Sequence, residues 1–283
     1  MPTVGQLLAE ARPRLAATPF GASGREASLL LGHVLGLSEA RLLARTDDEI
    51  PSKAERRFRE LLERRLTGEP VAYLLGEREF YGRPFHVDSR VLIPRPETEH
   101  LIEAALAERL PPEPWILDVA TGSGCIAVTL TLEIPGSRVV ATDLSPGALA
   151  VADRNARRHG VRDRVLFLGT DLADGLDLSR FDLTVSNPPY VDRSEIPEIS
   201  PEVLDFEPHL ALFPPGPPGA GDSILARLFA RCAELRSGVA LAVEIGRGQL
   251  DAVRRHAAAS GLELADVRED YSGIPRTVVL RHP

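Results

Sequence analysis

The segment Asn187-Pro188-Pro189-Tyr190 combines residues that could hold a small planar group. Proline has no N–H and a fixed φ, so two in succession form a stiff loop that offers carbonyl oxygens. The Asn187 side-chain oxygen and the Pro188 carbonyl oxygen can both accept hydrogen bonds from one –NH2 group. The ring of Tyr190 can pack flat against the group that carries this nitrogen. This Asn-Pro loop therefore predicts a site for a planar amide or amino group.

A second candidate site precedes the loop, in the glycine-rich turn Ala120-Thr121-Gly122-Ser123-Gly124. Glycines let the backbone approach a ligand closely, and the helix that follows presents free N–H groups at its start. Asp143 ends the next predicted strand, 19 residues after Gly124. An acidic residue there can accept hydrogen bonds from both hydroxyls of a ribose. These features predict a site for a ligand that contains a nucleoside.

Asp171 and Leu172 follow the third predicted strand and could complete the nucleoside site. The carboxylate can accept from an adenine amino group, and Leu172 can pack on the ring. The run Gly122–Ala127 also fits G-x-G-x-x-A, the dinucleotide pattern, so a nicotinamide cofactor is one alternative. Asp118, four residues before Gly122, and the Asn-Pro loop favour S-adenosylmethionine instead.

Methyl transfer to an amide nitrogen is the chemistry that the two sites could perform together. Such a nitrogen is a poor nucleophile because its lone pair is delocalised. Two acceptors that hold both hydrogens aim the lone pair at the methyl group, and aligning two reactants can supply about 7–11 kcal/mol in ideal cases. The methylated nitrogen sheds its proton afterwards, so no general base is needed before attack. No metal is expected.

The elements that must position these residues follow an α/β pattern from Trp115 onward. Strands are predicted at residues 115–119, 138–143, 165–168 and 181–186, and later at 239–245 and 277–280. Helices are predicted at 125–132, 145–159 (with Ser145 as N-cap and Pro146 at the first position), 223–235 and 249–259. This alternation predicts a mostly parallel sheet with ligands outside the carboxyl ends of its strands.

The chain before Trp115 has a different character. Residues 3–75 carry apolar side chains at helical spacing, and 78–95 contain a Gly82 and Pro84 turn signal between apolar runs, which predicts a β-hairpin. A further helix is predicted from Thr98 to Arg109. The Pro- and Gly-rich stretch Pro214–Gly221 is predicted to be a loop.

Composition limits the partners and the compartment. Residues 1–75 carry 11 Lys and Arg against 10 Asp and Glu, whereas the rest carries 22 against 31, which argues against a nucleic acid as main partner. Two cysteines suggest no disulfide framework, and neither a signal peptide nor a membrane span is visible. We expect a cytoplasmic monomer with no membrane and no stable nucleic-acid partner.

Several longer runs resemble one family, the glutamine-N5 methyltransferases that modify peptide-chain release factors (the HemK/PrmC family). The likeness extends from about residue 5 to residue 281. The Asn-Pro loop is shared with adenine-N6 and guanine-N2 nucleic-acid methyltransferases and is not diagnostic alone. The more specific runs are Gly68–Gly76, Leu92–Glu99 (Leu-Ile-Pro-Arg-Pro-Glu-Thr-Glu), Phe206–Leu212 (Phe-Glu-Pro-His-Leu-Ala-Leu) and Glu244-Ile245-Gly246.

The resemblance implies an α/β chain: a Rossmann-like class I methyltransferase domain at 97–283, a β-hairpin linker at 77–96 and a small helical bundle at 1–76 that docks the release factor. The substrate would be the glutamine of a Gly-Gly-Gln loop. Asn187, Pro188, Pro189 and Tyr190 would bind the glutamine amide, with Asn187, Pro188 and Tyr190 as the catalytic set. The implied S-adenosylmethionine-binding residues are Ala120, Thr121, Gly122, Ser123, Gly124, Asp143, Leu144, Asp171, Leu172 and Asn187.

Two departures from the family pattern bear on these expectations. The family usually has Gly at the position of Ala120, where a methyl group could crowd the cofactor. After Phe206–Leu212 the family usually has Gly-Gly-x-Asp-Gly, whereas this chain has Phe213–Gly219, rich in proline. The main alternative function is methylation of a nucleic-acid amino group, which would need a base-flipping pocket and a basic surface. A nicotinamide-dependent oxidoreductase and a non-catalytic binding module are further alternatives.

Overall fold

The computed structural model describes residues 1–20, 22–216 and 220–283. The helices are α1 Val4–Ala16, α2 Gly24–Leu35, α3 Glu39–Leu43, α4 Ser52–Leu66, α5 Val71–Leu75, α6 Glu99–Leu106, α7 Cys125–Glu133, α8 Pro146–Arg158, α9 Pro201–Phe206, α10 His209–Leu212, α11 Ala220–Cys232 and α12 Leu250–Ala259. The strands are β1 Glu77–Phe80, β2 Arg83–His86, β3 Trp115–Val119, β4 Arg138–Asp143, β5 Val165–Gly169, β6 Leu183–Ser186, β7 Ala240–Glu244, β8 Glu263–Glu269 and β9 Pro275–Arg281.

The chain divides into two compact units. The helical unit comprises Met1–Glu77 together with Glu198–Glu207, and the sheet unit comprises Arg78–Pro197 together with Pro208–Pro283. The helical unit therefore contains α9, which lies far along the sequence from α1–α5. The amino-acid sequence carries no pattern that predicts this second segment. No helix in the described residues combines the length and apolar character of a membrane span.

The helical unit is held together by the apolar faces of α1, α2 and α4. A capping box fixes the start of α1. The backbone N–H of Gln6 donates to the Thr3 hydroxyl at 3.3 Å, and the backbone N–H of Thr3 donates to the side-chain oxygen of Gln6 at 2.8 Å. Its core consists of side chains at the predicted helical spacing, among them Val4, Leu7, Leu8, Ala11, Leu15, Leu30, Leu31, Phe58, Leu61 and Leu62.

The sheet unit is built on one sheet that has seven strands within the described residues, in the order β5-β4-β3-β6-β7-β9-β8. β3 to β7 are mutually parallel, whereas β9 runs antiparallel to both β7 and β8. β1 and β2 pair separately as a two-stranded hairpin. Buried apolar side chains form a core cluster on each side of the sheet. The predicted α/β class with a mostly parallel sheet is confirmed.

The register of the parallel strands brings the candidate residues to one edge of the sheet. Val119 of β3 is opposite Thr142 of β4 and Ser186 of β6, and Asp143 is opposite Gly169 of β5. The segments that leave these four strand ends are the glycine-rich turn, the Asp143 corner, the Asp171 segment and the Asn-Pro loop. The strand order thus collects residues that are up to 67 positions apart in the chain.

Candidate active site

A cavity lies at the carboxyl ends of the parallel strands and is lined by most of the predicted site residues. Those at the cavity wall are Ala120, Thr121, Gly122, Ser123, Asp143, Leu144, Asp171, Leu172, Asn187 and Pro189. The three others, Gly124, Pro188 and Tyr190, are absent from this wall. The structure therefore brings the nucleoside set other than Gly124, together with two residues of the Asn-Pro loop, to one cavity.

The glycine-rich turn has a left-handed backbone at three positions: Ala120 (φ 61°), Gly122 (φ 54°) and Gly124 (φ 77°). A Cβ atom at Gly122 would meet nothing within 4 Å, so the backbone there faces open space. A Cβ atom at Gly124 would lie 2.9 Å from the Ala152 Cβ, which explains glycine at that position by close packing on α8. Gly124 therefore supports the turn from behind.

Asp143 is anchored by the backbone, which leaves acceptor capacity for a ligand. One carboxylate oxygen accepts from the Gly122 N–H at 2.9 Å, and the other accepts from the Ser145 N–H at 2.8 Å. Burial raises the pKa of Asp143, and these N–H donors oppose the rise. Since an ionised carboxylate has about four lone-pair sites, it can still accept from the hydroxyls of a ribose.

Asp118 is buried beneath the glycine-rich turn. Its Oδ2 accepts from the Thr121 hydroxyl at 2.6 Å and from the Ala127 N–H at 3.2 Å. Its Oδ1 has no hydrogen-bond partner in the described part of the chain. Burial raises the pKa of Asp118 to about 7, with the Thr121 and Ala127 donors acting against the rise. Asp118 therefore fixes the conformation of the turn from below.

Asp171 and Leu172 form a third wall of the cavity. Leu172 has a left-handed backbone (φ 51°), and its carbonyl accepts from the Thr142 hydroxyl at 2.7 Å. The Asp171 carboxylate pairs with Arg227 of α11 at 2.7 Å. Its second oxygen is the acceptor left for an adenine amino group. The pair with Arg227 has no local signal in the sequence.

The Asn-Pro loop is held by hydrogen bonds to two buried polar residues, Thr98 and Glu244. The Asn187 Nδ2 donates to the Thr98 hydroxyl at 3.2 Å, and the Tyr190 hydroxyl donates to Glu244 Oε1 at 3.1 Å. The Thr98 hydroxyl donates to Glu244 Oε2 at 2.6 Å. Burial raises the pKa of Glu244, and the hydroxyls of Thr98 and Tyr190 together with nearby Arg276 act against this rise. Pro188 is buried within the loop.

The ring of Tyr190 lies against the backbone of Gly246. A Cβ atom at Gly246 would be 2.9 Å from the Tyr190 Cδ2. Gln249 fixes the same corner, because its Nε2 donates to the Tyr190 carbonyl at 3.0 Å and its Oε1 accepts from the Gly246 N–H at 2.8 Å. Burial raises the pKa of the Tyr190 phenol, so this hydroxyl stays protonated at neutral pH.

Part of the predicted Pro214–Gly221 loop is helical. α11 begins at Ala220, so Gly221 lies in its first turn, whereas Pro217, Pro218 and Gly219 lie outside the described residues. A Cβ atom at Gly221 would be 2.5 Å from the Tyr190 carbonyl oxygen. The prediction was wrong here because glycine at this position permits a close approach of helix and Asn-Pro loop rather than a turn.

Sequence reasoning missed several residues of the cavity wall. They come from the segment before α6 and from the segment around α10, and include Leu92, Pro94, Arg95, Thr98, Pro208, Leu210, Ala211 and Pro215. Both segments overlap runs that were singled out for their family resemblance, Leu92–Glu99 and Phe206–Leu212. That resemblance was the only signal for them, because neither run follows a strand of the parallel sheet.

The hydrogen-bonding groups that line the cavity fit an adenosine-type cofactor. Carboxylates of Asp143 and Asp171 supply acceptors for hydroxyl and amino groups, and Gly122 leaves its backbone open. Apolar side chains contribute to the same wall, among them Leu144, Leu172, Ile126, Ala148 and Ile224. Cys125 also lines the cavity, and burial raises the pKa of its thiol to about 12, so this group is protonated at neutral pH.

Two family models match the chain. The model described as PrmC N-terminal domain matches residues 6–76, and the model described as methyltransferase small domain matches residues 99–204. The second match covers the glycine-rich turn, Asp143, Asp171 and the Asn-Pro loop.

Curated relatives match along nearly the whole chain. A release factor glutamine methyltransferase of Cereibacter sphaeroides is 44% identical over 279 residues, covering 98% of this chain and 97% of the relative. A release factor glutamine methyltransferase of Nitratidesulfovibrio vulgaris is 42% identical over 287 residues, covering 99% of this chain and 95% of the relative.

Solved structures agree with the fold. A methyltransferase from Pyrococcus furiosus, at 15% identity, superimposes with a TM-score of 0.53 and covers 78% of this chain and 96% of its own. At that identity the similarity concerns the fold alone.

Proposed function

The chain belongs to the family of release factor glutamine methyltransferases, and from this premise we propose that it methylates the side-chain amide nitrogen of a glutamine in a peptide-chain release factor. The chain is an S-adenosylmethionine-dependent methyltransferase, and S-adenosylhomocysteine is the product. The target glutamine is that of the Gly-Gly-Gln loop. One observation carries the assignment: most of the nucleoside residues and two residues of the Asn-Pro loop, Asn187 and Pro189, meet at one cavity.

The cofactor is assigned to the wall made by the glycine-rich turn and the ends of β4 and β5. Asp143 would accept from the ribose hydroxyls, Asp171 from the adenine amino group, and Leu144 and Leu172 would enclose the ring. S-adenosylmethionine supplies the electrophile, a methyl group on a sulfonium sulfur. Because the two carboxylates and the apolar side chains already line the cavity, binding would require little rearrangement of the sheet unit.

The glutamine amide is assigned to the Asn-Pro loop. The Asn187 Oδ1 and the Pro188 carbonyl would accept from the two hydrogens of the amide nitrogen, and the Tyr190 ring would lie against the amide plane. These two acceptors would hold the nitrogen with its lone pair toward the cofactor side of the cavity. Proton loss from the methylated nitrogen follows attack, so none of the three residues has to act as a base.

We assign the docking of the release factor to residues 1–76, and we expect the protein to act as a cytoplasmic monomer without a stable nucleic-acid partner. The excess of acidic side chains outside residues 1–75, 31 against 22 basic ones, supports the last expectation because phosphate binding needs a basic face.

The experiment is mass spectrometry of a purified, unmethylated release factor after incubation with this protein and S-adenosylmethionine. We expect one added methyl group, mapped by peptide fragmentation to the glutamine of Gly-Gly-Gln. Asn187→Ala should lose the activity because one acceptor for the amide is removed. A release factor in which that glutamine is replaced by alanine should gain no methyl group.

A parallel reaction with DNA and RNA tests the alternative. Methyl incorporation into a nucleic acid, with none into the release factor, would overturn the proposed substrate while leaving the cofactor assignment intact. Binding of S-adenosylhomocysteine, measured by calorimetry, shows in each case that the protein is folded and able to bind its cofactor.

A further inference from the structure

Thr98 and Glu244 lie in two runs that resemble the family, Leu92–Glu99 and Glu244-Ile245-Gly246, but neither residue has a role in the function proposed so far. Thr98 directly precedes α6, and Glu244 is the last residue of β7. Both are buried, at 2% exposed each, and their side chains share a hydrogen bond of 2.6 Å. A buried carboxylate is costly unless it is hydrogen-bonded, so its partners indicate why it is there.

The partners of this pair are the two polar side chains of the Asn-Pro loop. The Asn187 amide reaches the Thr98 hydroxyl at 3.2 Å, and the Tyr190 hydroxyl reaches Glu244 at 3.1 Å. Residues from the segment before α6, from β7 and from the loop after β6 thus form one connected set. Both ends of the loop are tied to the same carboxylate.

The direction of each hydrogen bond follows from the chemistry of the carboxylate. The hydroxyls of Thr98 and Tyr190 each donate to one oxygen of Glu244, so the single hydrogen of the Thr98 hydroxyl is used on this carboxyl group. The Thr98 oxygen then has only lone pairs to offer, and the Asn187 amide must present its –NH2 side to Thr98. The amide oxygen of Asn187 is left for the cavity. The opposite amide orientation would place two acceptors face to face.

We propose that Thr98 and Glu244 are positioning residues that fix the orientation of the Asn187 amide, so that its oxygen faces the substrate, and that also hold the Tyr190 ring. The inference rests on the proposed function, because the substrate amide needs an acceptor at Asn187. A flipped amide would meet the glutamine nitrogen donor to donor. Thr98 and Glu244 act on the reaction only through Asn187 and Tyr190.

The kinetic test compares Thr98→Val, Thr98→Ser and Glu244→Gln. Valine keeps the shape but loses the hydroxyl, whereas serine keeps the hydroxyl. We expect Thr98→Val to lower kcat for release-factor methylation about 10- to 100-fold, with a smaller change in KM, and Thr98→Ser to stay within about 3-fold of the wild type. Glu244→Gln should also lower kcat, because its amide is no longer a pure acceptor.

Thr129→Val is the matched control. Thr129 is as buried as Thr98, but its hydroxyl has no hydrogen-bond partner in the described part of the chain. It should keep wild-type kcat. If Thr98→Val or Glu244→Gln keeps wild-type kcat, the inference is wrong. It is also wrong if Thr98→Ser is as impaired as Thr98→Val, because a loss that the hydroxyl does not rescue is structural.

A second measurement does not depend on the substrate. The sequence contains two asparagines, Asn155 and Asn187, so selective ¹⁵N-asparagine labelling gives two side-chain –NH2 signals in an NMR spectrum, assigned with Asn187→Ala. Thr98→Val and Glu244→Gln should shift the Asn187 pair and speed its hydrogen exchange, while the Asn155 pair stays in place.

If the side-chain –NH2 signals of Asn187 are unchanged in both variants, the inference is overturned, whatever the substrate is. If the wild type leaves the release factor unmethylated but the Asn187 pair responds as expected, the orientation stands and the proposed substrate fails. The two failures are therefore distinguishable.

Discussion

Ala120 has a left-handed backbone with φ of 61° in the turn that leaves β3. For residues with a Cβ atom this conformation costs about 1–2 kcal/mol, while glycine adopts it freely. Part of the gain from glycine is lost to the larger entropy of the unfolded chain. We therefore expect Ala120→Gly to raise the free energy of unfolding by about 0.5–1 kcal/mol, measured by urea denaturation.

The matched control is Ala150→Gly, at an exposed position inside α8. There glycine should lower the free energy of unfolding by about 1 kcal/mol, because glycine is less favourable than alanine inside a helix. If both substitutions destabilise the protein to the same extent, Ala120 is not strained. Ala120→Gly also removes a methyl group from the cavity wall, so its affinity for S-adenosylhomocysteine should be at least that of the wild type.

Asp118 should make stability depend on pH. Its pKa is raised to about 7 by burial, against about 3.9 in an unfolded chain. Between these values the unfolded state releases a proton that the folded state keeps, so the free energy of unfolding falls as pH rises from about 4 to about 7 and is level above that. The full effect of such a shift is about 4 kcal/mol.

Asp118→Asn removes this contribution. The stability of the variant relative to the wild type should increase between pH 4 and pH 8, measured by urea denaturation at each pH. Glu244, whose pKa is also raised by burial, is present in both proteins, so its contribution cancels in the comparison. Parallel stability curves for the two proteins would show that Asp118 does not titrate in this range.

At the residue scale the sequence was informative where a side chain follows a strand of the parallel sheet. Asp143, Asp171 and Asn187 could be placed at one cavity for that reason. Thr98 and Glu244 could not be assigned a role, because a hydrogen bond across 146 residues leaves no periodicity or local motif. The direction of the hydrogen bonds around Asn187 follows only from the positions of four side chains, those of Thr98, Asn187, Tyr190 and Glu244.

At the element scale, Asn155 of α8 connects the β-hairpin to the glycine-rich turn. Its Nδ2 donates to the His86 carbonyl at 2.9 Å and to the Ser123 carbonyl at 2.8 Å, and its Oδ1 accepts from the His86 N–H at 2.7 Å. We expect Asn155→Ala to lower the free energy of unfolding by about 3 kcal/mol, because three backbone groups lose their partner. It should also weaken S-adenosylhomocysteine binding, measured by calorimetry.

Ser137→Ala is the control for this substitution. The Ser137 side chain is also fully buried, but its hydroxyl has no hydrogen-bond partner in the described part of the chain. It should change neither stability by more than about 1 kcal/mol nor cofactor affinity. Wild-type affinity in Asn155→Ala would show that the turn keeps its shape without α8.

The elements could be predicted best where burial leaves a pattern. The central strands β3, β4, β6 and β7 are almost wholly buried and read as apolar runs. β8 was missed, since it is an edge strand with mostly exposed side chains and two irregularities in its pairing with β9. Charged side chains on such a strand protect the edge of the sheet, and they also hide the strand from sequence analysis.

At the scale of the whole molecule, each compact unit is built from two stretches that are separated in the sequence. Residues 198–207 lie between the Asn-Pro loop and β7 in sequence, but they belong to the helical unit. The sequence did not predict this, because α9 is only six residues long and its contacts are with residues more than 130 positions away. A helix this short carries no local signal of its partner.

Arg65 is central to this arrangement. Its side chain is 3% exposed, pairs with Glu26 at 2.6 Å and with Glu202 of α9, and lies 4.5 Å from the centre of the Phe20 ring. Removing the cation leaves two carboxylates that are mostly buried. Because each keeps some exposure to water, we expect Arg65→Met to lower the stability of the helical unit by about 2–3 kcal/mol.

Hydrogen exchange followed by mass spectrometry can test whether residues 198–207 unfold with the helical unit. In Arg65→Met, exchange should accelerate in peptides from α1, α2, α4 and α9 together, whereas peptides from β3 to β6 should exchange as in the wild type, because cooperative units open as wholes. Arg57→Met, which removes a cation from the exposed pair with Glu60, should leave all of these peptides unchanged. If α9 instead exchanges at the rate of the sheet unit in both proteins, its contacts with Arg65 and Gly68 do not couple it to the helical unit.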